Sequence, residues 1–135
     1  MALININSLK SFYGNNSFLV TDNPPAGHDE LVKQAESIVY QHTLIPIPED
    51  IANAIPTLQN YAHSIYIWFA AGFQNNLDEK EIGRRRDMYK DAMYELNLIN
   101  KGQKDVYDKE GNKIATGFSS SPTFYVNTED RTERL

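Results

Sequence analysis

The side chains of this 135-residue chain with most chemistry in them are its 3 histidines, its 18 carboxylates and its 13 basic residues. Their spacing decides what that chemistry could be. A helical pair of metal-binding histidines needs a separation of three or four residues, and His28, His42 and His63 offer none. His28 and His42 fall at the two ends of one predicted helix, roughly 20 Å apart by helix rise. His63 lies in the next long helix beside Asn60 and Ser64 and reads as a hydrogen-bonded interior histidine rather than a base. No serine sits in the glycine-flanked turn of a nucleophile elbow. The seven glycines are scattered, so no phosphate-cradling loop forms. Cysteine is absent, which removes disulfides, thiolate ligands and thiol nucleophiles together. The carboxylates Glu49 and Asp50, and Asp78, Glu79 and Glu81, stand at predicted helix starts, where capping and the helix dipole account for them. These residues predict no catalytic group, no metal site and no cofactor.

What remains is contact chemistry. Arg84-Arg85-Arg86 is the only basic cluster. Three consecutive helical residues spread over about 200° of a helix surface, so the three cannot make one compact patch. Some must lie close to the apolar stripe, and the others can pair locally with Glu79, Glu81 or Asp87. A sharper use for them is an acidic surface on a neighbouring chain. Tyr107, Phe118, Phe124 and Tyr125 fall outside the predicted helices, where a small domain has little interior to offer. Aromatics of that kind are enriched at protein interfaces. With Arg131 and Arg134 of the tail they complete the set of candidate interface residues.

The elements that must carry these residues follow from periodicity. Ile4, Ile6, Leu9, Phe12 and Tyr13 suggest a short first helix, capped by Asn5 or Asn7 and stopped at Gly14-Asn15-Asn16. Asp22 to Gly27, with two prolines, is a loop. Leu31, Val32, Ala35, Ile38 and Val39 mark a helix over His28–His42. Leu44-Ile45-Pro46-Ile47-Pro48 must be extended, because the residue before a proline avoids the α region. A short helical turn is expected from Pro48 to Ala54. Pro56 restarts a helix that is apolar nearly all round, hence central. A fourth helix spans Asp78 to Lys101, with Gly102 placed for a left-handed cap. Asp105–Asp108 and Lys113–Thr116 around a Gly-Asn turn predict a β-hairpin. The predicted fold is mainly α, a bundle of about four helices with a C-terminal hairpin and extended arm. It divides into a helical part, residues 1–102, and the hairpin and arm, residues 103–135.

Composition narrows the partners. The formal charge of -5 argues against tight binding to nucleic acid or to an anionic membrane surface. The longest apolar run, Ser64 to Phe73, is about half of what a bilayer span requires. The opening Met-Ala-Leu-Ile-Asn lacks the pattern of a secretory signal, so a cytoplasmic site is expected.

The arrangement resembles the phage head–tail connector, or head-completion, proteins of the Mu-like prophage branch. Leu19-Val20-Thr21-Asp22 matches the end of their first segment, and Ala35 to His42 their A-x-x-x-I-x-x-Y helix. The proline-bracketed connector and the aromatic helix Leu58 to Phe69 come in the family's order. Arg86, Tyr89, Ala92, Leu96, Ile99 and Gly102 reproduce its R-x-x-Y-x-x-A-x-x-x-L-x-x-I-x-x-G spacing. The step before the prolines departs from the family, with His42-Thr43 where a basic-aromatic pair is usual. The resemblance implies a structural virion protein, not an enzyme. It implies a homo-oligomeric ring of about a dozen copies between portal and tail-side proteins, with the arm reaching the portal or a neighbouring subunit. DNA would pass through without being bound specifically, and no membrane is involved. The protein would be made in the host cytoplasm and end in the virion. The contrasting expectation is a small DNA-binding or regulatory module of a prophage that uses Arg84 to Arg86.

Overall fold

The computed structural model describes residues 2–13, 27–72 and 77–116. Among them the chain forms α1 (Ile6–Tyr13), α2 (His28–Thr43), α3 (Pro56–Ala71) and α4 (Glu79–Asn100), followed by β1 (Val106–Tyr107) and β2 (Lys113–Ile114). The protein is a small helical bundle with a two-stranded antiparallel hairpin, as its periodicity predicts.

Helix α3 is the centre. It packs on α2 and on α4, and α1 lies against it. Every residue from Tyr61 to Ile67 is buried, because neighbours cover the helix on all sides. Pro56 occupies its first turn, where a missing N–H costs nothing, and Ile55 before it is extended. On α4 only one stripe is apolar. Ala92, Leu96 and Ile99 recur at four and three residues and are buried against α3.

The helix ends are closed as their residues require. Asn5 and Ser8 form a reciprocal cap on α1: the Ser8 N–H donates to Asn5 Oδ1 at 2.7 Å, and the Asn5 N–H to Ser8 Oγ at 2.9 Å. Of the two candidate asparagines, Asn5 is therefore the cap. Asp78 caps α4 by accepting the Glu81 N–H at 2.8 Å. At the other end of α4, Gly102 has φ +74°. Its N–H donates to Ile99 O at 3.0 Å, and that of Gln103 to Leu98 O at 2.8 Å, the double bond pattern of a left-handed cap. An alanine there meets the steric penalty of positive φ. Gly102→Ala is expected to lower the unfolding free energy by about 1 kcal/mol, measured by urea denaturation.

Two sequence expectations shift. The turn placed at Pro48–Ala54 is a single 3-10 turn, Ile51–Asn53, capped by Asp50, whose side chain accepts the Ala52 N–H at 3.0 Å. Pro48 instead offers its carbonyl to the Ala2 N–H at 2.7 Å, which keeps it extended. The hairpin strands are two residues each, shorter than the four-residue runs expected. The Asp108 carboxylate accepts the N–H groups of Glu110 and Asn112, each at 2.9 Å. That side chain closes the turn in place of further ladder bonds.

The hairpin rests on the helices. Val106 is buried in the common core and Ile114 packs against it. Lys104 pairs with Glu95 of α4 at 2.9 Å, and Lys109 donates to Ala52 O in the 3-10 turn.

Candidate interaction surfaces

Several polar groups enter the interior, some bonded within their own helix and some tying one segment to another. Arg85 lies on the buried stripe of α4, seven residues before Ala92, and has no exposed surface. Its Nε donates to Glu81 Oε2 at 2.7 Å, one helical turn earlier. Glu81 also lies 3.5 Å from Arg84. The arginine triplet therefore separates as its helical fan requires. Arg85 as an interface candidate is corrected: it is sealed inside this chain and cannot present its guanidinium to another. Arg84 is exposed with a local carboxylate, and Arg86 is exposed.

His63 joins α3 to α1. It is 4% exposed, its Nε2 lies 2.8 Å from Ser8 Oγ, and its ring sits 5.0 Å from that of Phe12. Burial pushes its pKa from 6.5 down to about 4, so the ring is neutral at ordinary pH. The distance to Ser8 is that of a base to a nucleophile. The serine oxygen, however, is committed to the α1 cap, and His63 Nδ1 is buried with no hydrogen-bond partner among the described residues. Among the described residues no carboxylate orients the ring, so none supplies the third group that activates a serine. Asn5, Ser8 and His63 together make a structural lock.

Three further locks went unnoticed in the sequence. Glu36 of α2 is buried and accepts the Leu3 N–H at 2.6 Å, pinning the N-terminal segment across 33 residues. Tyr66 of α3 meets His28 Nδ1 at 2.6 Å, and burial pushes its phenol up to about 12. Tyr61 is also pushed up to about 12, first by burial and then by the charge of Glu95 and a hydrogen bond to it. A carboxylate or tyrosine in a helical stripe gives no local sign of the partner that a distant segment supplies. Among the described residues no three His, Cys, Asp or Glu side chains gather as a metal site, and no helix is long and apolar enough to cross a membrane.

The outer face tells a different story. Tyr107, expected at an interface, is half exposed at 50%. Phe118, Phe124, Tyr125, Arg131 and Arg134 lie outside the described residues. Two exposed tyrosines were missed, Tyr94 of α4 at 63% and Tyr40 of α2 at 43%. A helical-wheel reading could have found Tyr94, which stands two residues from Ala92 and thus on the far side of α4. Tyr40 shares an open groove of about 580 Å³ with Glu36, Gln41, Pro46 and Ile47, between α2 and the extended connector. Leu44, at the connector's start, is the one non-glycine among the described residues with positive φ, at 54°, and its side chain is also exposed. The proline two residues on holds the chain extended and leaves Leu44 as the residue that turns it out of α2.

Comparison with protein-family models, with curated proteins and with solved structures finds no match to this chain. The class the fold defines is a small helical bundle with a β-hairpin, in which Glu36, His63 and Tyr66 join separate segments and tyrosines lie on the outer face.

Proposed function

We propose that this chain is a structural virion protein, a head–tail connector subunit that assembles with copies of itself between a portal and the tail-side proteins of a phage or prophage. The observation that carries the reading is α4. Its Arg86, Tyr89, Ala92, Leu96, Ile99 and Gly102 keep the spacing of that family, and the last four of these form its inward stripe and its C-terminal cap. The exposed tyrosines add support, since rigid aromatic area at the surface is the material of protein interfaces. The acidic balance suits a channel wall along which DNA slides without being gripped. The C-terminal residues after the hairpin, which the resemblance assigns to an arm, would contact a portal or neighbouring subunit.

The DNA-binding alternative draws less from the same residues. Of the three arginines one is internal and another shares Glu81, so the basic patch such a module needs is reduced. Co-expression with a phage portal protein from the same genome, followed by native mass spectrometry, tests the proposal. A multi-copy complex with the portal is the expected result. A chain that stays monomeric and ignores the portal would overturn it.

A further inference from the structure

Three helices meet around an open recess of about 250 Å³. Phe12 of α1 forms one wall. Asn60, Tyr61 and Ser64 come from α3, and Met88, Asp91 and Glu95 from α4. Asn60 and Ser64 stand one helical turn apart, as do Asp91 and Glu95, so each helix brings two polar groups to the same space. The two carboxylates are not alike. Glu95 is engaged, by Lys104 at 2.9 Å and by a hydrogen bond from the Tyr61 phenol. Asp91 is exposed and pairs with none of the described basic residues. Ser64 is 8% exposed, yet its hydroxyl forms no hydrogen bond with another described residue. A buried hydroxyl ordinarily has a partner. This one lines the recess, where an incoming donor can reach it.

The lining selects the donor. No lysine or arginine lines the recess, and its open acceptors are the Asp91 carboxylate, the Ser64 hydroxyl and the Asn60 amide oxygen. An anion is repelled there. A bare metal ion gains little, because it needs six or more oxygens, Glu95 is already engaged and the other walls are Phe12, Tyr61 and Met88. A primary ammonium carries three donors, one for each open acceptor. Aromatic side chains favour the same charge, and an alkyl stem can cover Met88. We propose that the recess between α1, α3 and α4 binds a primary alkylammonium group, with Asp91 as the countercharge and Ser64 and Asn60 accepting its other N–H bonds. Two sources carry that group, a free small amine and the lysine side chain of another protein. The site is independent of the connector reading.

Backbone amide NMR of the full chain tests it, with n-butylammonium as the probe. Saturable shifts are expected, largest at Asn60, Ser64 and Asp91. The uncharged n-butanol, with the same stem, should leave those amides close to where they began. Asp91→Asn and Ser64→Ala are each expected to weaken binding about fivefold, the scale of one exposed charge contact or one neutral hydrogen bond. Added salt should weaken binding to the parent chain and have far less effect on Asp91→Asn. Both substitutions nearly keep the side-chain volume, and an unchanged circular dichroism spectrum confirms the fold. Lysine blocked at both backbone ends separates the sources. Matching shifts assign the recess to lysine side chains, whereas silence beside a binding n-butylammonium assigns it to free amines. Equal shifts with n-butanol, shifts centred away from the recess, or an affinity unchanged in Asp91→Asn would each overturn the proposal.

Discussion

Glu81→Ala is expected to lower the unfolding free energy by about 3 kcal/mol, the scale of removing one partner from a buried ion pair. The reason is the asymmetry of the pair. The Arg85 side chain has no exposed surface, whereas Glu81 is 25% exposed. Removing the carboxylate takes the Nε partner from a guanidinium that cannot be deprotonated and has no exposed surface. Removing the arginine leaves a carboxylate that can still hydrate. Arg85→Met, which keeps an unbranched apolar stem in the stripe with Ala92 and Leu96, should therefore cost less than Glu81→Ala. Urea denaturation of the three proteins at neutral pH gives the ranking. If Glu81→Ala lies within about 0.5 kcal/mol of the parent, the scatter of an ordinary surface change, the pair contributes nothing to holding α4 on the core.

The second large effect concerns acid. His63 is neutral in the folded chain down to about pH 4, while the unfolded chain takes up its proton near 6.5. Between those values the unfolded state binds more protons, so stability falls as the pH is lowered from 6.5 and levels off near 4. Linkage sets the loss at about 3 kcal/mol. A His63→Gln chain retains a side chain that can bond to Ser8 but does not titrate. Its stability should decline less over the same window, and the difference between the two profiles isolates the histidine from the carboxylates that titrate alongside it. Parallel profiles would mean that His63 is protonated inside the fold. The first contact to loosen should be that of α1 on α3, since His63 faces Ser8 and Phe12 there. Backbone exchange at Leu9 would report it.

Much of this architecture could be read from local rules. The central position of α3 follows from an apolar surface that leaves no side for water. The limits of α4 follow from Asp78 and Gly102, whose chemistry acts within one turn of the chain. The separation of Arg84, Arg85 and Arg86 was implied by 100° per residue, and so was the need for one of them to turn inward. Which one turned inward required the register of the whole stripe. The hairpin's existence was legible in Gly111-Asn112, but its length was not, because the Asp108 carboxylate takes the backbone donors that longer strands would use.

Taken alone, the amino-acid order determined the helices, their ends, the lack of cysteine and the poor supply of clustered nucleophiles, bases or metal ligands, because all of these depend on neighbours within a few residues. Tertiary structure alone decided that Glu36 would hold Leu3, that His63 would meet Ser8 and that Arg85 would be sealed. It also decided that Tyr40, Tyr94 and Tyr107 would remain outside. A polar or aromatic side chain on a helix has the same local preferences whether another segment covers it or water does. Only packing tells the two apart: it joins His63 of α3 to α1 and seals Arg85 inside, while leaving the tyrosines exposed.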